Sequence, residues 1–282
     1  MDLEAYAGLE TVGMPLPVVT DPLVQVTLPT GATVGVTDSG GDGPVIVFSH
    51  GLFMNHTMFA PQVEALRDIY RVVTWDERGH GEAEHSGSWS YWDSADDVLA
   101  LLDHLAVHEA VLAGMSQGGY LSLRAALRAP ERVRALVLLD TQAGVEDPAV
   151  VPLYEGMAAA WAAEGPSQDT LDFAAAAILG PGDDQSWKEH WAAMPWHRCP
   201  QIMRTLLTRD DLTDRLVEIT CPALVVHGDA DAAIPVEKAQ ALVEGLPGAV
   251  PLVLVSGGGH AANLTHPEPV NAALRAFLEG LS

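Results

Sequence analysis

Gly114-Met115-Ser116-Gln117-Gly118 stands between an apolar run, Ala110-Val111-Leu112-Ala113, and a stretch from Gly118 to Arg128 that reads as a helix through Leu121 and Leu123. As five residues alone, G-x-S-x-G recurs by chance. Between a strand and a helix it describes a turn so sharp that only small residues can flank the serine. Such a turn lifts the Ser116 hydroxyl above a sheet, at a helix N-terminus whose dipole and free backbone N–H groups favour developing negative charge. The feature therefore demands a layered chain, with strands below and helices packed against them.

The rest of the chain supplies those layers. Residues 22–38 read as a hairpin: Val24, Val26 and Leu28 alternate with polar positions, Pro29-Thr30-Gly31 turns, and Val34 and Val36 alternate again. Val45-Ile46-Val47-Phe48 is continuously apolar, as a strand covered on both faces would be. A helix is expected from about Asn55 to Asp68, a strand from Tyr70 to Trp75, and a helix from Ser94 to Leu105. Ser94 and Asp97 are spaced as a capping box variant for that helix. A strand over Val133 to Leu139 follows, and this order predicts parallel strands with helices on both faces.

Residues 145–215 break the rhythm. The segment is Ala-rich, carries Trp161, Trp187, Trp191 and Trp196, and reads as helices without a strand. Strands resume at Cys221 to His227 and Val250 to Val255. Helices are expected over Val236 to Glu244 and from Pro267, the latter with Val270, Leu274, Phe277 and Leu278 as its stripe. The division expected is an α/β core of residues 1–144 and 216–282, with a helical cap of residues 145–215 inserted. At 282 residues the chain is near the limit of about 250–300 that one core supports.

Charge narrows the partners. With 38 acidic against 14 basic residues the formal net charge is -24, which repels phosphate backbones and anionic headgroups. Neither a nucleic-acid nor a membrane partner is expected, and no apolar run reaches the roughly 18 residues of a span. Cys199 and Cys221 are too few for a disulfide framework and are read as reduced and structural. Met1-Asp2-Leu3-Glu4 lacks the basic start of a signal peptide, so a cytoplasmic protein is expected. Oligomeric state is not legible, nor is any role for the stretch before Pro22.

A serine nucleophile needs a base, and the base needs an orienting acid. Gly257-Gly258-Gly259-His260 follows the last strand and can carry an imidazole back over the sheet. Acids are offered by Asp229 and Asp231 after the strand ending at His227, and by Asp140 after the strand ending at Leu139. His50-Gly51-Leu52-Phe53 ends another strand and can present a backbone N–H to an oxyanion. Leu52 or Phe53 would be the donor there, and Gln117 the second.

These features together resemble the α/β-hydrolase fold family. The resemblance rests on His50-Gly51, Asp76-Glu77-Arg78-Gly79-His80-Gly81, the elbow with Gly119, Gly228-Asp229-Ala230-Asp231 with Pro235, and Gly259-His260, spanning about residues 40–280. It implies a mostly parallel eight-stranded sheet flanked by helices, with the cap inserted after the sixth strand. It also implies a triad of Ser116, Asp231 and His260, and places Asp231 over Asp229. The oxyanion hole would be the backbone N–H groups of Leu52 and Gln117. Arg78 and His80 would brace their loop, with Asp76 as partner. A serine at 116 separates the chain from relatives with an aspartate nucleophile. Residues 44–140 look most similar to the esterase, enol-lactonase and cofactor-free haloperoxidase branch.

The expected activity is thus hydrolysis of a small, largely apolar carboxylic ester, lactone or thioester through an acyl-enzyme, without cofactor. One alternative is a hydrolase of carbon–carbon bonds or aromatic lactones in a degradative or secondary-metabolite pathway. Another is a ligand-binding receptor that turns over slowly. Pocket residues are expected among Phe53, Met115, Trp161 and Trp187, with His56, Gln117, Tyr154 and Met157 as weaker candidates. His104 and His108, four apart, are read as a favourable helix-end charge and not as a metal site.

Overall fold

The computed structural model describes residues 21–84, 87–182 and 184–281. Residues 1–20, with the expected reading of the N-terminus, lie outside them. β1 (Val24–Thr27) and β2 (Thr33–Asp38) form the expected antiparallel hairpin, with Val24 opposite Val36. β3 (Val45–Ser49), β4 (Arg71–Trp75), β5 (Ala110–Met115), β6 (Val133–Leu139), β7 (Ala223–Gly228) and β8 (Val253–Val255) complete one eight-stranded sheet. Its order is β1-β2-β4-β3-β5-β6-β7-β8, parallel from β4 onward. The continuous apolar runs explain the parallel part. Residues 46–49 and every residue of β5 are buried, as strands covered on both faces must be.

The helices α1 (Ala60–Leu66), α2 (Tyr91–His104), α3 (Gln117–Arg128), α8 (Val236–Gly245), the short α9 (Ala262–Thr265) and α10 (Pro267–Glu279) connect these strands or follow them. α2 packs on α3, and α1 on α10. α2 begins one turn earlier than its expected start. Ser90 caps it, with Asp93 returning the bond to the Ser90 N–H, so the box is Ser90-x-x-Asp93 and not Ser94-x-x-Asp97. Tyr91 and Ser94 are buried in the added turn, and Asp97 is spent on Arg78. β8 is shorter than expected: Pro251 interrupts the run, and Val250 only donates to the Ala223 carbonyl.

Between β6 and β7 lie α4 (Val151–Glu164), α5 (Gln168–Ile178), α6 (Gln185–Ala193) and α7 (Cys199–Leu207). A 3-10 turn, Thr213–Glu218, then packs under α8 through Leu216, so the expected boundary at 215 falls inside it. No helix among the described residues is long and apolar enough to cross a membrane. Cys199 and Cys221 are both free thiols.

The carboxyl ends of β3, β5, β6, β7 and β8 share one edge of the sheet. β3 neighbours both β4 and β5, so the chain reverses direction across the sheet there. In open α/β sheets such a reversal opens the crevice where ligands sit.

Candidate active site

Ser116 joins β5 to α3 at φ 50° and ψ -114°, a conformation that a residue with a Cβ rarely adopts. Its surroundings hold it there. The Ser116 N–H donates to the Leu139 carbonyl at 2.9 Å, and the Thr141 hydroxyl donates to the Ser116 carbonyl at 2.7 Å. The flanking glycines are steric necessities: a Cβ on Gly114 would strike the Gly118 backbone, and one on Gly118 the Ser49 carbonyl.

His260 Nε2 accepts from Ser116 Oγ at 3.0 Å, and His260 Nδ1–H donates to Asp231 Oδ2 at 2.8 Å. Asp231 Oδ1 accepts the backbone N–H groups of Ala233 and Ile234. Burial opposes its charge, but His260 and those N–H groups outweigh burial and hold the carboxyl below the usual range. Burial likewise opposes the His260 cation, yet the hydrogen bond and charge of Asp231, with Asp140 and Glu146 adding, leave the imidazole above its ordinary value. The other two candidate acids have different partners. Asp229 accepts from the Gly257 N–H, tying down the loop that carries His260. Asp140 accepts from Gly228 and Ala262 N–H groups, and burial pushes it up to about 8.

The turn after β3 is braced from beneath. His50 Nδ1–H donates to the Gly51 carbonyl at 2.8 Å, and its Nε2 accepts from the Glu77 N–H at 3.0 Å. Burial lowers His50 to about 4, which keeps it neutral as that bonding requires. Leu52 and Phe53 form the turn, Phe53 at φ 58°, and the Phe53 carbonyl accepts from Trp191 Nε1 at 3.1 Å. On the facing side, the Gln117 side chain donates to Glu77 Oε1 and accepts from the Tyr91 hydroxyl. It points away from Ser116, leaving its backbone at the first position of α3.

Ser116 and His260 open into a cavity of about 180 Å³, roofed by α4, α5 and α7. Phe53, Met115, Trp161, Tyr154 and Met157 line it, and the Phe53 ring lies 5.1 Å from that of Trp161. A larger cavity, about 440 Å³, lies beyond Phe53 and Met54, lined by His56, Asp76 and His190. Neither Ser116 nor His260 reaches it. Asp140, His227 and Asp231 bring ligand-type atoms within 4.8 Å. They suit a cation poorly, because Asp231 is spent on His260 and two backbone N–H groups, and His227 Nε2–H donates to the Ile234 carbonyl.

A family model described as the alpha/beta hydrolase fold matches residues 44–267. The chain belongs to the α/β-hydrolase fold family. It is 30% identical to a Caulobacter sp. (strain K31) protein named "Putative carbamate hydrolase RutD", over 85% of this chain and 92% of that one. It is 27% identical to 3-oxoadipate enol-lactonase 2 of Acinetobacter baylyi, over 84% and 90%. A thermophilic esterase from Thermogutta terrifontis superposes with a TM-score of 0.82 at 27% identity, over 92% of this chain and 99% of that one. These relatives are hydrolases, and this chain is a hydrolase of the same fold.

Several positions in this α/β hydrolase differ from expectation. Trp187 is outside the Ser116 cavity: it packs edge-on against His190 and beside Trp191, on the core-facing side of α6. His56 is also outside it, with its N–H and Nδ1 both directed to Asp76 Oδ1. Arg78 pairs with Asp97, while Asp76 accepts from His56 and the Glu82 N–H. His104 and His108 are both exposed. Tyr120 and Glu146, which sequence reasoning missed, both line the cavity. Tyr120 is four residues after Ser116 on α3, so helical periodicity from the elbow could have found it. Glu146 lies in an irregular segment and offers no such signal.

Proposed function

We propose that this hydrolase cleaves a small, largely apolar carboxylic ester, lactone or thioester by a Ser116–His260–Asp231 triad. Ser116 Oγ attacks the acyl carbon while His260 Nε2 takes its proton. The backbone N–H groups of Leu52 and Gln117 hold the oxyanion. The carbonyl re-forms, the alkoxide or thiolate leaves with the proton from His260, and an acyl-Ser116 remains. Water then attacks the acyl carbon, giving its proton to His260, and the acid departs as the proton returns to Ser116. Asp231 fixes the imidazole tautomer and balances its cation.

The observation that carries this reading is the continuous pair of hydrogen bonds, 3.0 and 2.8 Å, from a backbone-strained serine through a histidine to an ionised aspartate. The relatives' names, an esterase, an enol-lactonase and a carbamate hydrolase, all denote attack at an acyl carbon bearing a leaving group. A 180 Å³ cavity is smaller than the roughly 300 Å³ where drug-sized pockets begin, which favours a small acyl group. Residues 145–215 act as a cap that closes this cavity over a core of residues 1–144 and 216–282. Two free thiols fit a reducing, cytoplasmic compartment.

The test is intact-mass labelling with a small fluorophosphonate, followed by peptide mapping. One adduct is expected on Ser116, absent from Ser116→Ala and from His260→Ala. Ser116→Ala should also lose about 10³-fold or more of the turnover of a short ester. Wild-type-like turnover by the pure variant overturns the assignment.

A further inference from the structure

The wall of the Ser116 cavity is apolar almost throughout, and among its lining residues Glu146 is the one acid, with no lysine or arginine. The carboxylate is not there by accident of a flexible loop. Arg209, whose side chain is 1% exposed, donates from Nη2 to Glu146 Oε1 at 2.9 Å. Its Nε donates to the Gly144 carbonyl at 3.0 Å and its Nη1 to the Leu206 carbonyl at 2.8 Å. Its guanidinium lies 4.3 Å from the Tyr120 ring centroid. Arg209 is thus pinned behind the wall, and through one oxygen it fixes the direction of Glu146. The other oxygen, Oε2, takes no hydrogen bond from any described residue.

Glu146, its side chain 14% exposed, lines this apolar cavity, and an acceptor there rewards a donor and penalises its absence. It disfavours a second carboxylate, because the cation behind the wall, Arg209, is already bonded to Glu146, Gly144 and Leu206 and has no hydrogen bond directed into the cavity. We infer that Glu146 selects the substrate: the site takes acyl compounds bearing a hydrogen-bond donor or positive charge away from the scissile carbonyl, such as a hydroxyl, an amide N–H or an ammonium, and turns away carboxylate-bearing ones. This rests on the Ser116 hydrolase reading above and supplies its substrate class.

The experiment compares kcat/KM for short esters of matched length ending in methyl, hydroxyl, ammonium or carboxylate, with the end group placed on the acyl side and then on the alcohol side. Wild type, Glu146→Gln, Glu146→Asp and the double variant Glu146→Gln with Arg209→Met are compared, each against Ser116→Ala. In wild type the ammonium or hydroxyl ester should exceed the carboxylate ester by about 100-fold or more on one of the two sides. That ratio should fall at least about tenfold in Glu146→Gln and persist in Glu146→Asp. Because it is taken within one protein, partial misfolding does not imitate it, and the double variant removes the pair without stranding Arg209. A ratio unchanged in both Gln-containing variants, with Ser116-dependent hydrolysis intact, overturns this inference alone. No Ser116-dependent hydrolysis of any ester by wild type overturns the hydrolase reading and this inference with it.

Discussion

At Ser116 the chain holds a backbone conformation that costs on the order of 1–3 kcal/mol, stabilised by bonds to Leu139 at the end of the neighbouring strand and to Thr141 just after it. The serine is therefore aimed before any substrate arrives, and what remains to be set is the proton affinity of His260. Asp231 raises it most, with Asp140 and Glu146 in support, above the ordinary 6.5. As the proposed base, His260 works only when neutral, so activity should fall as pH falls through a midpoint above 6.5. Glu146→Gln and Asp231→Asn should each move that midpoint down. The measurement is kcat/KM for a short neutral ester from pH 5 to 9, and a wild-type midpoint clearly below 6.5 would remove Asp231 as the dominant influence on His260.

At the scale of elements, the elbow works because β5, α3 and β3 approach with nothing between them but glycine. A methyl group on Gly118 would meet the Ser49 carbonyl at the end of β3, and neither strand nor helix can yield without moving the other. Gly118→Ala should therefore cost about 1–3 kcal/mol in urea denaturation, and lower turnover by displacing the Gln117 N–H. An unchanged midpoint would mean that α3 is less tightly seated than its contacts imply. The same crowding is why this part was legible in the sequence. Ser116, Asp231 and His260 each follow a strand, beside glycines that a tight turn or close approach requires, and the apolar runs of β3 to β7 mark what the turns sit on. Local signals competed elsewhere: two S-x-x-D spacings follow one another in residues 90–97, and only packing of Tyr91 and pairing of Asp97 with Arg78 decide between them. Trp187 and Trp161 read alike along the chain, and the placement of α6 against the turn at Phe53 separates them. Glu146 was hidden because a charged residue in an irregular segment is ordinarily solvated, and only Arg209, 63 positions later, draws it to the cavity.

For the molecule as a whole, buried titratable groups set opposing demands on folding. Asp140, raised from 3.8 to about 8, and His260, raised above 6.5, both hold a proton more tightly folded than unfolded. Their stabilisation is complete at low pH and is lost as pH rises, for His260 above 6.5 and for Asp140 progressively from 3.8 to about 8. His50, lowered to about 4, and His80, lowered to about 3, do the reverse, as do His190 and His227, all chiefly because burial disfavours their cations. These four stabilise the fold above 6.5 and withdraw that support as pH falls toward their folded values. The net charge of -24 adds self-repulsion that grows as the remaining histidine cations are lost. Stability should accordingly peak at about pH 6.5 and fall on both sides, and moderate salt should raise the melting temperature on the alkaline side. Thermal melts from pH 4 to 9, with and without added sodium chloride, read this directly. Asp140→Asn should flatten the alkaline limb and steepen the acid limb, because Asp140 opposes the buried histidines at every pH between 3.8 and about 8. A melting temperature that rises steadily from pH 6.5 to 9 would show that Asp140 is ionised in the folded protein, and that two carboxylates then share the charge of His260.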